Sequence, residues 1–358
     1  MKNNFEKDGI VLLNKVKGVS SFGAINHLKR IVGAKKVGHT GTLDPMAEGV
    51  IMVLINNATK FSDDLMKRDK EYYVEMELGY KTDTYDSEGT VVEKYTSEIN
   101  ISDSEIIQAV NSFKGKIKQV PPMYSAIKIE GQKLYDLARK GIEVERAERD
   151  VEILEIREIK VIRPDENSEN AQNIKISFYV KVSSGTYIRS LVYDIGEKLG
   201  VFATMTRLVR TKIGRFDIED AITLEKAKAE IDKLKNLMEG KTENESFWAT
   251  KNDSAIRAEK IREIVCFVEI EYVLDYYGIN VSNVKYEKLK NGMTVIDTFK
   301  KFENISKEAS KGANVRENQK FKIYVRNKNT NAREFKGIVK IVNIRGDRIY
   351  LKRDKYFL

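Results

Sequence analysis

The stretch "GAKKVGHTGTLDP", residues 33–45, decides what kind of fold and site the sequence predicts. It contains His39, one of the two histidines of the chain, and Asp44, which stands directly before a proline. Its glycine spacing approaches that of a phosphate-binding P-loop, but His39 stands where the P-loop lysine belongs. The stretch also follows a predicted helix and precedes a predicted strand, which is the reverse of the P-loop order. We therefore exclude a P-loop, and two interpretations stay open: a structural turn, or a loop that presents Asp44 for chemistry.

The segments on either side of this stretch predict a helix and a strand. Before it, "SSFGAINHLKRIVG" begins with a candidate serine N-cap and ends at the glycine that opens the stretch. The apolar residues at helical spacing are Phe22, Ile25, Leu28 and Val32. After it, "GVIMVLI" (49–55) is apolar and rich in β-branched residues, which indicates a buried central strand.

Asp44 is thus predicted to lie in a loop beside an apolar strand. Burial there would raise the pKa of its carboxyl, unless a cation keeps it ionised. Arg189 is the candidate cation, because the sequence places it, with Tyr187, at a strand-to-helix junction where side chains commonly face a cleft. Spacing alone does not bring Asp44 and Arg189 together.

Composition limits the classes of function. The chain has 358 residues and a net charge of +9, which favours two domains and, modestly, a nucleic-acid partner. One cysteine and two histidines exclude an intrachain disulfide and argue against a transition-metal site. The sequence shows neither an apolar stretch of membrane length nor a signal-peptide core, so we expect a cytoplasmic protein without a membrane partner.

Several long motifs resemble those of the TruB family of tRNA pseudouridine synthases, and "GHTGTLDPMAEGV" resembles the catalytic motif of that family. Four further stretches follow the order of the family: "GIVLLNKVKGVSS", "KEYYVEMELGYKTDTYDSEG", "PPMYSAIKIEGQKLYDLARKGIEV" and "SSGTYIRSLVYDIGEKLG". The resemblance covers residues 9–225. More weakly, "LKNGMTV" and "EFKGIVKI" resemble the small PUA-type RNA-binding domain that follows in this family.

The resemblance implies an α+β fold: a mixed β-sheet catalytic core of the pseudouridine synthase type flanked by helices, with a small C-terminal PUA-like β-barrel. We expect a catalytic domain over 1–240, a connecting segment over 241–275 and the RNA-binding domain over 276–358. The short strands and turns after residue 276 independently predict a small β-barrel or sandwich. We expect "KKFENISKEASKGANVRENQ" (300–319) to be a loop within it.

The resemblance also implies roles for individual residues. Asp44 matches the catalytic aspartate, and Arg189 matches the arginine that pairs with it. Tyr72 matches the tyrosine that packs against the target base. The other residues implied to contact the substrate are His39, Tyr187, Leu208 and Lys15.

The implied activity is the isomerisation of the T-loop uridine of tRNA, position 55, to pseudouridine. It involves base flipping and an aspartate nucleophile, with neither cofactor nor metal. We expect a monomer without an obligate protein partner. Two alternatives stay open: a non-catalytic RNA-binding protein on the same scaffold, and a retaining glycosidase. The glycosidase needs a second carboxylate as general acid, and the Asp44 motif supplies no convincing one.

Overall fold

The computed structural model describes residues 5–125, 127–129, 131–138, 140–142, 144–164, 174–239, 251–302 and 315–357. Its strands are β1 (Gly9–Lys15), β2 (Val37–His39), β3 (Glu48–Ile55), β4 (Lys70–Leu78), β5 (Tyr80–Thr82), β6 (Val91–Lys94), β7 (Gly115–Gln119), β8 (Lys128–Ile129), β9 (Gln132–Lys133), β10 (Arg149–Ile162), β11 (Lys175–Val182), β12 (Ala203–Ile213), β13 (Phe216–Asp217), β14 (Val268–Glu269), β15 (Tyr277–Asn280), β16 (Val295–Thr298), β17 (Lys320–Arg326), β18 (Arg333–Arg345) and β19 (Arg348–Phe357). Its α-helices are α1 (Ser21–Val32), α2 (Ser62–Met66), α3 (Asp103–Asn111), α4 (Leu134–Ala138), α5 (Ile188–Leu199), α6 (Leu224–Glu239), α7 (Lys251–Ile264), α8 (Ile270–Val273) and α9 (Asn283–Lys290). Short 3-10 helices span Asn56–Phe61 and Ile218–Asp220.

The larger sheet is mixed and has ten strands. Its order is β14-β1-β3-β12-β4-β11-β10-β7, with β2 added on β3 and β13 on β12. The β12–β3 pair is parallel, whereas β12–β4 and β1–β3 are antiparallel. With helices packed on this sheet, the prediction of an α+β fold with a mixed, helix-flanked sheet is confirmed.

The apolar run in β3 arises because both faces of this strand are buried. Ile51, Val53 and Ile55 pack in the core beneath the long helices α1, α5 and α6. Val50 and Met52, on the opposite face, pack in a second core with residues of α2 and α8. A central strand covered on both sides reads as a continuous hydrophobic run instead of an alternating one.

Helix α1 begins and ends where the sequence predicts. The Ser20 side chain accepts a hydrogen bond from the Gly23 amide, and Gly33 ends the helix in the left-handed conformation with φ at +76°. Phe22, however, is 72% exposed, so its predicted place on the apolar face is wrong. The buried stripe starts instead at Ser21, whose hydroxyl bonds to the loop of residues 40–47, and Phe22 lies about 100° away around the helix.

Part of the predicted connecting segment, 241–275, contributes a strand and apolar residues to the larger sheet and its core. Residues 241–250 lie outside the described part, but α7, β14 and α8 pack on the larger sheet. Ile10 of β1 pairs with Val268 of β14, and Val265 is fully buried in the main core. The apolar residues of this segment are interspersed among many charges, which conceals their periodicity.

The second sheet has five strands in the order β15-β17-β18-β19-β16 and its own apolar core. Its first strand begins at Tyr277. Lys320 of β17 forms an ion pair of 2.9 Å with Asp64 of α2, which joins this sheet to the residues packed on the larger one, and a second pair of 3.0 Å with Asp354 of β19 in its own sheet. Of the predicted loop at 300–319, residues 303–314 lie outside the described part of the chain.

The parallel contact between β3 and β12 requires a glycine at position 49. Gly49 pairs with Arg210 and has φ at +108°, and a Cβ there would lie 2.3 Å from the Arg210 carbonyl oxygen. Gly115 has nearly the same φ, +107°, but a Cβ there would meet no atom within 4 Å.

We predict that Gly49→Ala destabilises the protein by about 1–3 kcal/mol more than Gly115→Ala, because only the first adds a backbone clash to the backbone strain. Urea unfolding of the two variants and the parent measures this difference. Equal losses in the two variants would contradict the proposed close approach.

Candidate active site

Asp44 lies in the loop of residues 40–47 between β2 and β3, and buried side chains from neighbouring elements hold this loop. The Ser21 hydroxyl donates to the Leu43 carbonyl at 2.7 Å and accepts from the Leu43 amide at 2.8 Å. The Lys15 ammonium donates to the Pro45 carbonyl at 3.1 Å. Both residues that flank Asp44 are therefore fixed through their backbones, which orients the carboxylate between them.

Arg210 holds the beginning of the same loop. Its side chain is 1% exposed and donates from Nε to the Val50 carbonyl at 2.7 Å and from Nη2 to the Gly41 carbonyl at 3.1 Å. His39, at the end of β2, accepts a hydrogen bond at Nδ1 from the Gly41 amide at 3.2 Å. The loop thus has anchors in β1, α1 and β12 and is pre-organised before any ligand binds.

The Arg189 guanidinium lies between two carboxylates. Its Nε is 2.9 Å from Asp44 Oδ2, and its Nη1 is 3.6 Å from Asp86 Oδ2. Nη1 also donates to the Thr84 carbonyl at 3.0 Å, and Nη2 donates to the Tyr124 carbonyl at 2.7 Å. Only 4% of the Arg189 side chain is exposed. The structure therefore brings Asp44 and Arg189 together, which spacing alone did not establish.

The Asp44 carboxylate lies among several charged groups and is still partly exposed to solvent. Burial raises the pKa of Asp44 above its usual value, Arg189 acts to lower it, and the nearby negative charge of Asp86 raises it further. The Asp44 side chain is nevertheless 37% exposed. The carboxylate is thus open to a ligand on one side while a fixed cation pairs with it on the other.

The pKa values of two other predicted site residues, Lys15 and His39, are also shifted. Burial lowers the pKa of Lys15 to about 8, and the negative charges of Glu48 and Asp44 partly oppose this shift. Lys15 is buried and also donates to the Val16 and Val19 carbonyls, so in this structure its contacts are with backbone groups. Burial also lowers the pKa of His39, and this favours a neutral imidazole near neutral pH.

Tyr72, Leu208 and Tyr187 are the remaining predicted site residues. Tyr72 of β4 and Leu208 of the adjacent strand β12 are nearly buried in the main core. Tyr187 caps α5, where the Gln119 side-chain amide donates to its carbonyl at 3.0 Å and accepts from its amide at 2.8 Å. Burial raises the pKa of the Tyr187 phenol. Tyr187 is close enough to Asp44 and Arg189 for their charges to act on its phenol, whereas Tyr72 and Leu208 are placed in the main core.

Sequence reasoning missed two residues of the site. Asp86 belongs to the motif "KEYYVEMELGYKTDTYDSEG", which carried no role for this residue, although its carboxylate is 6% exposed and faces Arg189. Arg210 follows Leu208 by two positions in β12, so strand alternation places both on one face. The burial of Arg210 could have been predicted, because it is a charged residue on the same strand face as the apolar Leu208. No such pattern in the sequence distinguished Asp86 from the aspartates near it.

In the described part of the chain, no group of three or more His, Cys, Asp or Glu side chains is arranged to hold a metal ion. Among the helices of those residues, none combines the length and the apolar character needed to cross a bilayer.

Comparison with known proteins identifies the family. A model described as TruB family pseudouridylate synthase (N terminal domain) matches residues 29–188, and one described as tRNA pseudouridylate synthase B C-terminal domain matches residues 189–258. The tRNA pseudouridine synthase B of Fusobacterium nucleatum is 48% identical over 212 residues, 59% of this chain and 70% of that protein. The chain belongs to the TruB family.

Further similarities agree with this assignment, and TruB-family membership makes the protein a pseudouridine synthase, which is an isomerase. The tRNA pseudouridine synthase B of Clostridium perfringens is 45% identical over 248 residues, 67% of this chain and 81% of that protein. A solved structure of an H/ACA RNP bound to a substrate RNA containing 2'-deoxyuridine is similar with a TM-score of 0.57 at 21% identity, over 98% of this chain and 85% of that one. At this identity the structural similarity supports the fold alone.

Asp86→Asn is predicted to move the acid limb of the pH–rate profile to lower pH. The Asp86 charge raises the pKa of Asp44, so removing that charge lowers this pKa; if the reaction depends on an ionised Asp44, activity then extends into more acidic solution. Single-turnover rates of pseudouridine formation across the acid range measure the limb.

Asp83→Asn is the matched control, because Asp83 lies in the same loop but is exposed. Its limb should coincide with that of the parent. An acid limb that stays in place or moves upward in Asp86→Asn would show that Asp86 does not set the titration of Asp44.

Proposed function

We propose that this TruB-family protein isomerises the T-loop uridine of tRNA, position 55, to pseudouridine with Asp44 as the nucleophile. The observation that carries the proposal is the 2.9 Å contact between the reachable Asp44 carboxylate and the buried Arg189 guanidinium. The relatives named tRNA pseudouridine synthase B support tRNA as the substrate. A net charge of +9 suits a polyanionic partner.

The reaction needs one nucleophile and no redox partner. The bond between the ribose carbon and uracil nitrogen breaks, the uracil turns, and a bond forms from the same ribose carbon to a ring carbon. That ring carbon then loses its proton and the freed ring nitrogen takes one up, so the product is an isomer of the substrate. An ionised Asp44 attacks either the uracil ring or the ribose carbon, and both routes use the same carboxylate. Arg189 holds that carboxylate ionised and oriented through a charge-assisted hydrogen bond. The proposed reaction requires neither a cofactor nor a metal.

The target base has to leave the RNA stack to reach Asp44. Tyr72, Tyr187 and Leu208 form the pocket that receives it, and stacking on Tyr72 offsets part of the cost of flipping, at about 1–3 kcal/mol per stacked base. His39 fills the space that the extruded base leaves in the RNA loop, as a neutral side chain. For Lys15 we propose a positioning role instead of substrate contact, because its ammonium is buried and bonded to the Pro45 carbonyl.

The five-stranded sheet is proposed to be a PUA-like RNA-binding barrel. Its helix α9 carries three lysines, Lys285, Lys288 and Lys290, and strands β18 and β19 add further arginines. Because α7, β14 and α8 pack on the larger sheet, we extend the catalytic domain to residue 275 and retain 276–358 as the RNA-binding domain. We propose that the protein acts in the cytoplasm as a monomer.

The decisive assay uses one unmodified tRNA transcript with the parent and Asp44→Asn side by side. We expect the parent to convert the T-loop uridine and the variant to lose at least ~100-fold in rate, since Asn keeps the size of Asp44 but is no nucleophile. A transcript with cytidine at that position is the control and should yield no product.

Two outcomes would contradict the proposal. Conversion by Asp44→Asn at the rate of the parent would exclude the aspartate mechanism. RNA binding by both proteins without conversion would leave a binding protein on an enzyme scaffold.

A further inference from the structure

A groove of about 370 Å³ is lined by residues that neighbour Arg189 and its hydrogen-bond partners along the chain. Its aromatic wall is the stacked pair Tyr85 and Tyr193, whose ring centroids are 4.3 Å apart with an angle of 25° between the planes. Other residues that line it include Lys81, Thr82, Asp83, Val92, Met123 and Ile142. None of these residues has a role in the reaction proposed above.

Arg189 connects the groove to the candidate active site. Tyr193 lies four residues after Arg189 in α5, which places it one turn, about 6 Å, further along the same helix face. The carbonyls that accept hydrogen bonds from Arg189 belong to Thr84 and Tyr124, the immediate neighbours of Tyr85 and Met123 in the groove wall. One nucleotide of an extended RNA strand spans such a distance.

The backbone at Tyr85 is strained. Its φ is +64°, a left-handed conformation that is unfavourable for an aromatic residue and free for glycine. The conformation is held because the Tyr85 amide donates to the Thr82 carbonyl and the Tyr85 carbonyl accepts from the Met205 amide, each at 3.2 Å. Strain that the surroundings maintain at a non-glycine residue points to a function for the side chain.

We propose that this groove binds one unstacked nucleobase of the substrate RNA, that of a nucleotide directly adjacent to the target uridine. The proposal rests on the proposed function, because it presupposes an RNA whose target base enters the site at Asp44. The groove is large enough for one base, and a tyrosine face stacks on any base regardless of its hydrogen-bonding edge. The half-buried rings of Tyr85 and Tyr193 lie about one nucleotide's length from Arg189, and they therefore suit an unstacked base next to the target uridine.

The test combines base removal in the RNA with ring removal in the protein. Tyr85→Gly deletes the ring and relieves the backbone strain, so the variant should fold, and thermal unfolding verifies this. Three T-arm stem-loop RNAs are titrated: the intact one and two that are abasic at the nucleotide before or after the target. Tyr85→Phe keeps the stacking ring as the conservative variant.

We expect Tyr85→Gly to bind intact RNA about 5- to 150-fold more weakly than the parent, and Tyr85→Phe to bind it as the parent does. With one of the two abasic RNAs, the parent and Tyr85→Gly should bind equally, because the stacking partner is already absent. Tyr179→Ala is the matched control. It disrupts another half-buried tyrosine pair, Tyr73–Tyr179 on the larger sheet, and should show no such dependence on either base.

The proposal is overturned if Tyr85→Gly binds intact RNA as tightly as the parent. It is also overturned if the variant loses the same factor with the intact and both abasic RNAs. Failure of the underlying function is distinguishable, because the parent would then form no pseudouridine in intact RNA. If the parent forms pseudouridine but the Tyr85→Gly effect does not depend on the adjacent base, only the proposed role of the groove is rejected.

Discussion

A buried guanidinium that lies between two carboxylates organises this protein. Arg189 is 4% exposed, contacts Asp44 and Asp86, and completes its hydrogen bonds with two backbone carbonyls. A charge this buried is tolerated only when it is paired, and removal of one partner of such a pair typically costs about 3–5 kcal/mol. The start of α5, the loop before β6 and the loop of Asp44 are therefore tied to one cation. Their mutual arrangement is fixed before a substrate arrives.

Local sequence patterns predicted the elements around the site because each depends on nearby residues. The serine N-cap and terminal glycine of α1 and the buried apolar strand β3 both occur as expected. Failures arose where distant contacts decide the outcome. Phe22 is exposed because Ser21 bonds inward to Leu43, and the burial of Ile261 and Val265 in the main core was not predicted because these apolar residues stand among charged ones. Neither contact is visible from spacing.

The chemical identity of the site was predicted less from spacing than from resemblance. Spacing allowed Asp44 to be a turn residue, and the order of several motifs pointed to Asp44 and Arg189 together. The contact between them, and the second carboxylate at Asp86, emerge only in three dimensions, because they join segments far apart in the chain. Lys15 matches the lysine of the family motif, and its buried ammonium bonds to three backbone carbonyls.

The most direct test of the account is the single-turnover rate of Arg189→Lys, measured together with its affinity for the same tRNA transcript. Lysine keeps the positive charge but lacks the planar fork that reaches Asp44 and both carbonyls at once. We predict a rate at least ~100-fold below that of the parent, from misplacement of the carboxylate, with RNA affinity nearly unchanged. An unchanged rate, or a loss of RNA affinity that accounts for the whole loss of activity, would contradict the claim that Arg189 positions Asp44 for the reaction.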